Sequence, residues 1–163
     1  MAFSTNPRIL ARAGKGIPDI IDTMKEVNSA AFKAGELVYA AASGTTGAIT
    51  VCASDATLIL GIAQKDATNV SSGNIVIPVE VIRPGDRLAI QCYDTSDAAV
   101  KLASTFYPGK AYGLVVASNV HYVDFDEITA DAFIFIEPLD TVNYPYWGIF
   151  EPKVTVCQVG YGV

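Results

Sequence analysis

One histidine and three cysteines are the residues of this chain best suited to nucleophilic, acid–base or metal chemistry. Their neighbours decide what they could do. His121 lies in Val120-His121-Tyr122-Val123, an apolar, strand-like run. A catalytic imidazole needs a hydroxyl or thiol within hydrogen-bond reach and a third group to orient it. No Gly-x-Ser-x-Gly elbow accompanies His121, so a side chain on a sheet face is the simpler reading. Cys52, Cys92 and Cys157 are an odd number, widely spaced, each within an apolar run. They form no Cys-x-x-Cys pair, and with one histidine there is no His-x-x-x-His pair, so no zinc-type ligand set is expected. They read as small buried hydrophobes of a reducing compartment.

The carboxylates Asp124, Asp126, Glu127 and Asp131 begin like a calcium loop. The pattern then fails: Ile128 and Thr129 stand where an acceptor and the turn glycine belong, and Phe135 stands at the closing Glu position. A solvated strand end is the expectation. Gly14-Lys15-Gly16 lacks the upstream glycine and following hydroxyl of a phosphate loop, and Pro108-Gly109-Lys110-Ala111 puts an alanine where the hydroxyl must be. Asn69-Val70-Ser71 fits a glycosylation sequon but reads as turn chemistry. No catalytic, cofactor-binding or metal-ligating residue is therefore assigned, and a structural or binding protein is expected.

Composition points the same way. Apolar residues make up 51% of the 163 and charged residues 17%, against about 25% in an ordinary soluble domain. A chain of this length removes roughly two-thirds of its unfolded surface from water and needs no disulfide or metal to hold a core. The first 18 residues carry Arg8, Arg12 and Lys15 without an acid, whereas the remaining 145 hold eight basic and seventeen acidic residues. A short basic arm on an acidic body suits contact between protein surfaces and argues against nucleic acid as a partner. No apolar h-region follows Met1-Ala2-Phe3-Ser4, and no apolar stretch reaches about 18 residues, so no signal peptide and no membrane span are expected.

The elements that must position these residues are mostly strands. Residues 1–33 read as an N-terminal arm. Within it, Pro18 at a first helical position and Ile20, Ile21, Met24, Val27 and Ala31 at helical spacing predict a short helix over 18–31. The alternative is an extended arm throughout. From Leu37 the pattern has period two. Strands are expected over Leu37 to Ala41, Ala48 to Ala53, Leu58 to Gln64, Ile75 to Ile82 and Arg87 to Tyr93. Further strands are expected over Ala111 to Ala117, Val120 to Phe125, Ala132 to Glu137 and Val154 to Val159. Ser96 or Asp97 could cap a short helix over Thr95 to Ser104. Pro78 marks a strand edge or bulge. No internal repeat is visible. The fold class expected is mainly β: a small antiparallel barrel or sandwich over 34–138, with one or two short helices and an extended arm. Residues 139–163 form an aromatic extension completing or flanking the barrel. There Pro145 and Pro152 should prevent regular structure, and Tyr144, Tyr146, Trp147 and Phe150 serve either as a lid on the core or as a sticky surface.

Four stretches carry a resemblance. They are Ala34-Gly35-Glu36-Leu37-Val38-Tyr39; Ile59-Leu60-Gly61-Ile62-Ala63-Gln64-Lys65-Asp66-Ala67-Thr68; Ile77-Pro78-Val79-Glu80-Val81-Ile82-Arg83-Pro84-Gly85-Asp86; and Gly109-Lys110-Ala111-Tyr112-Gly113-Leu114. The last leads on to Tyr122-Val123-Asp124 and the strand Ala132 to Ile136. Over about residues 34 to 137 the chain resembles the β-tulip decoration (cement) proteins of tailed-bacteriophage capsids. The resemblance implies a virion protein on the capsid exterior, made in the host cytoplasm. It would bind the major capsid protein, tie neighbouring capsomers together, and work as a homo-oligomer, a trimer or a dimer. The adhesive elements expected from composition are the arm (Arg8, Arg12, Lys15, Ile17) and the aromatic tail (Tyr144, Tyr146, Trp147, Phe150). Two other readings remain: a carbohydrate-binding β-module of a phage fibre or adhesin, stacking sugars on Tyr146 and Trp147, and a small β-barrel enzyme using His121.

Overall fold

The computed structural model of the chain describes residues 5–13, 19–41, 48–71 and 75–158. Among these residues thirteen strands in two sheets make up nearly all the regular structure, so the protein is mainly β. The first sheet holds β2 (Ile20–Ile21), β3 (Lys25–Glu26), β4 (Leu37–Ala40), β5 (Ala48–Val51), β6 (Gly61–Ala63) and β7 (Val79–Val81), in the order β2-β7-β6-β4-β5-β3. The second holds β1 (Arg8–Ala11), β8 (Arg87–Asp94), β9 (Ala99–Val100), β10 (Ala111–Ala117), β11 (Val120–Asp124), β12 (Asp131–Asp140) and β13 (Tyr144–Pro152).

The second sheet closes on itself. β8 pairs β11, β11 pairs β10, β10 pairs β12, β12 pairs β13, and β13 returns to β8. The β8–β11 pairing is parallel and the other four are antiparallel. Closure removes the open edges that an unclosed sheet would expose. Leu88, Ile90 and Cys92 alternate along β8 into the core, with Tyr112, Leu114, Val123, Phe133, Phe135 and Phe150 from the other walls. A single 3₁₀ turn, Ala103–Thr105, delivers Phe106 into this interior, where its ring lies 4.7 to 6.1 Å from those of Tyr112, Phe125, Phe135 and Phe150.

Strands β4 and β6 are buried on both faces. Leu37, Ile59 and Ile62 join the barrel core, while Val38, Ala40, Leu60 and Ala63 alternate with them into a second core containing Met24, Phe32, Ile49, Ile77 and Val79. That is why the run from Ile59 to Ala63 reads as continuously apolar. Gly61 sits where β6 meets β7: a Cβ there would collide with the Glu80 carbonyl oxygen and come within 2.8 Å of Val79. The first sheet also curls. Residue Val76 bridges Lys25, and the Ile77 amide donates to the Met24 carbonyl, before Pro78 passes the chain on to β6 and β2.

Four sequence expectations change. Of the helix expected over 18–31, residues 19–31 are described, and they form no helix; β2 and β3 stand there. The carbonyls of Asp19 and Met24 accept from Val81 and Ile77, while the amides of Glu26 and Val27 donate to Ile75 and Ile49, so the sheet takes the groups a helix would use internally. The helix over 95–104 is replaced by a hairpin and the 3₁₀ turn. The Asp94 carboxylate captures the Ser96 and Asp97 amides and the Ser96 hydroxyl, a local competitor of helix hydrogen bonding, and β9 then pairs back on β8. Finally, Tyr144–Pro152 is a nine-residue strand despite its prolines, and it supplies a barrel wall. Pro145 falls before the pairing with β8 begins at Trp147, and Pro152 is the last residue, so neither removes a donor from the middle of that ladder. Conversely, Val154 to Val156 is a turn, and Cys157 makes only an isolated bridge to Ile59.

A repeated device, not visible as a sequence repeat, starts three of the main strands. Lys33-Ala34-Gly35-Glu36 precedes β4, Arg83-Pro84-Gly85-Asp86 precedes β8 and Tyr107-Pro108-Gly109-Lys110 precedes β10. In each, the fourth amide donates to the first carbonyl and the glycine has φ of +91°, +86° or +80°, the signature of a type II turn. The first amide is then capped by a side chain: Glu36 at 2.8 Å, Asp86 at 2.9 Å and the Tyr112 hydroxyl at 2.9 Å.

The N-terminal segment straps two of these turns. Asn6 Nδ2 donates to the Ala34 carbonyl, the Ala13 amide donates to Asp86, and β1 pairs the start of β8. A Cβ on Gly35 would stand 2.7 Å from Asn6 and one on Gly85 2.8 Å from Ala13, whereas one on Gly109 meets nothing within 4 Å. Gly109→Ala should therefore cost only backbone strain, about 1 kcal/mol. Gly35→Ala and Gly85→Ala should cost about 1–3 kcal/mol more through overpacking. Ala13→Gly should recover part of the Gly85→Ala loss. Urea unfolding of the single and paired variants checks this, and equal losses at Gly85 and Gly109 would show that the strap does not bear on the turn.

Candidate functional site

The arm residues have different fates. Arg8 lies on β1 opposite Ala89 and is half-buried. Arg12 is tied into its own chain: its guanidinium donates to the Val81 carbonyl at 2.6 Å, to Glu80 at 2.5 Å and to Asp86 at 3.3 Å. Asp86 is 1% exposed and is satisfied by Arg12 and by the amides of Ala13 and Arg83. The cation expected to reach a neighbour is thus held by its own body. Lys15 and Ile17 lie outside the described residues.

The aromatic tail divides into core and surface. Phe150 is fully buried in the barrel core. Trp147 is 6% exposed and belongs to neither core cluster. Tyr144 is half-buried and Tyr146 is 40% exposed. The lid reading therefore describes Phe150, and the surface reading describes Tyr146.

Tyr146 belongs to a ribbon that extends past the barrel's strand pairings. Pairing of β10 with β12 ends at Ile134, with a last pair of bonds to Phe135, and pairing of β8 with β13 begins at Trp147. Between these points residues 136–146 pair only as a two-stranded hairpin among the described residues, with register shifts after Phe135 and after Pro138. Asp140 orders the tip by accepting from the Val142 amide at 2.8 Å, the Asn143 amide at 3.0 Å and the Asn143 side chain at 2.8 Å. The Asn143 side chain, followed by the two amides, holds the Asp140 carboxyl below its ordinary range. Val142 is left 82% exposed at the tip. In the sequence, Pro145 and Pro152 argue against regular structure here. The signal for the hairpin is Asp140-Thr141-Val142-Asn143, a turn between two apolar runs.

His121 is fully buried. Its Nε2 donates to the Cys52 carbonyl at 3.0 Å, a bond between the two sheets, and Nδ1 has no partner. Burial, only partly offset by that bond, pulls its pKa down to about 4. Among the described residues no hydroxyl or thiol is bonded to the ring, so the pairing a nucleophile needs is not formed among them. The cysteines are buried and free, and burial raises all three thiols, Cys157 to about 11. Such thiols are poor nucleophiles.

The carboxylates of the abortive calcium loop are spent separately. Asp124 caps the Thr95 amide and hydroxyl, Glu127 caps Thr129 and Ala130, and Asp131 pairs Lys153 at 2.7 Å. Among the described residues no group of three or more His, Cys, Asp or Glu side chains is placed to hold a metal ion. Asp94 is charge-paired with Lys101, whose ammonium also lies 4.7 Å from the Phe125 ring centroid. That pairing first, and Ser96 second, lower the Asp94 carboxyl. An open cleft of about 300 Å³ lies over Tyr39 and the loop from Ala53 to Leu58. Among the described residues no helix is long and apolar enough to cross a membrane. Comparison with protein-family models, with curated proteins and with solved structures finds no match.

Two outcomes follow from this placement. Phe150→Ala should cost about 3–5 kcal/mol of stability, whereas Tyr146→Ala should stay within about 1 kcal/mol in the same urea titration. His121 gives a pH signature. Its folded pKa lies below the unfolded value of about 6.5, so its contribution is complete above pH 6.5 and is lost as the pH falls towards 4. The wild type should lose roughly 3 kcal/mol more than His121→Gln across that window. Parallel stability–pH curves for the two proteins would remove His121 as the cause.

Proposed function

We propose that the protein is a virion structural protein. It binds the outside of a tailed-phage capsid through the major capsid protein and cross-links neighbouring subunits. It acts as a homo-oligomer, a trimer in the first place. The observation that carries this reading is a closed β body, its N-terminal strap tied to itself, with an apolar two-stranded ribbon extending past the barrel's strand pairings. A shell under pressure from packaged DNA needs clips between capsomers, and an interface of about 1,600 Å² is enough for a specific one. Repetition over the shell makes each contact multivalent, so individually weak contacts suffice.

The carbohydrate-binding reading is weaker. It needs Trp147 as a stacking platform, and Trp147 is 6% exposed, which leaves Tyr146.

Light scattering after size exclusion, followed by mixing with capsids assembled without this protein, tests the proposal. The expected result is an oligomer that binds saturably at a copy number dictated by capsid symmetry. A monomer without affinity for capsids, yet positive on a glycan array, would transfer the function to the carbohydrate reading.

A further inference from the structure

We infer that the β12–β13 ribbon, residues 136–146, is the capsid-contacting element, and that it docks into an apolar groove with a cationic rim on a different protein, not on a second copy of this chain. The inference rests on the virion reading above and names which surface makes the contact and what chemistry receives it.

The ribbon offers apolar contact. Val142 is 82% exposed and Tyr146 40% exposed, with Ile136, Pro138 and Leu139 half-buried along the same hairpin. Its tip is already ordered by Asp140, so little conformational entropy remains to be lost on binding. Strand addition is disfavoured on both edges, because Pro138 on β12 and Pro145 on β13 each lack a ladder donor. Contact therefore falls to side chains entering a groove.

Charge selects the partner. The ribbon carries Glu137 and Asp140 and no lysine or arginine. A second copy is the poorer receptor, because the chain has a net charge of −6 and six of its eleven basic residues (Arg12, Lys33, Arg83, Arg87, Lys101 and Lys153) are already in ion pairs within it. Like charge across an interface is penalised, so complementarity points to a basic surface on another protein.

The test uses the full chain and capsids assembled without it. Val142→Asp is compared with Val154→Asp, a 69% exposed valine off the ribbon, and with Glu137→Lys. The expected result is that Val142→Asp weakens capsid binding by more than about tenfold while Val154→Asp leaves it unchanged. Glu137→Lys should slow association and flatten its salt dependence. Unfolding curves that overlay the wild type establish that the variants are folded. Wild-type binding with equal affinity for both valine variants would overturn the ribbon assignment and leave the virion reading standing. A lower oligomer mass for Val142→Asp by light scattering would assign the ribbon to a second copy and overturn the inference. Failure of the wild type to bind capsids would remove the virion reading, and the ribbon's capsid role with it.

Discussion

Strand β8 is the constraint on which the rest of the structure depends. Its eight residues are hydrogen-bonded along both edges to four strands: β1 and then β11 on one side, β13 and then β9 on the other. Residues Leu88 and Ala89 pair with both β1 and β13, which fixes those two strands on opposite edges. Once β8 is shared this way, the sheet has to curve and close. The parallel β8–β11 seam in turn requires a long connection, because parallel strands cannot be joined by a tight turn. That connection carries β9, the 3₁₀ turn and β10. The crossover that topology demands is therefore also the segment that brings Phe106 into the barrel.

The turn before β8 fastens the other parts to it. A glycine with φ near +90° sets the direction of the strand, and the acid that follows caps the first amide of the turn. In Asp86 the same carboxylate accepts from the strap as well, so one buried charge closes the turn, holds the Ala13 amide and neutralises Arg12. A buried carboxylate is tolerated only when its acceptor sites are filled in this way. Two N-terminal residues meet this turn, Ala13 bonded to Asp86 and Asp19 paired with Arg83.

Much of the fold was legible because strands with one core-facing side announce themselves by period two. Ala111–Ala117 agrees with expectation at both ends, and Arg87–Asp94 and Val120–Asp124 differ by one residue. What failed were segments whose local pattern competes with distant partners. Ile20, Ile21, Met24 and Val27 have helical spacing, but the segment's backbone groups are claimed by partners as distant in sequence as Val81 is from Asp19. Prolines misled in the opposite sense. Pro145 and Pro152 argued against a strand, yet a proline at a strand end or off a shared edge costs no ladder bond, and sequence alone does not show which edge is shared. The candidate site was half legible: the aromatic run was found, but its division into Phe150 inward and Tyr146 outward depends on where β13 leaves β8.

An isolated two-stranded hairpin is marginal in water, so a ribbon that leaves the barrel must be held at both ends. At its base the rings of Phe135 and Phe150 pack over Gly148, where a Cβ would come within 2.6 to 2.8 Å of them. The ring closure thus clamps both strands at the point of departure. At its tip the Asp140 carboxylate gathers two amides and the Asn143 side chain. Between these anchors the strands carry Pro138 and Pro145, which deny their edges to another sheet. Anchoring at both ends with blocked edges leaves the side chains as the means of contact, and a preordered, acidic, apolar finger is suited to a complementary groove rather than to a growing sheet.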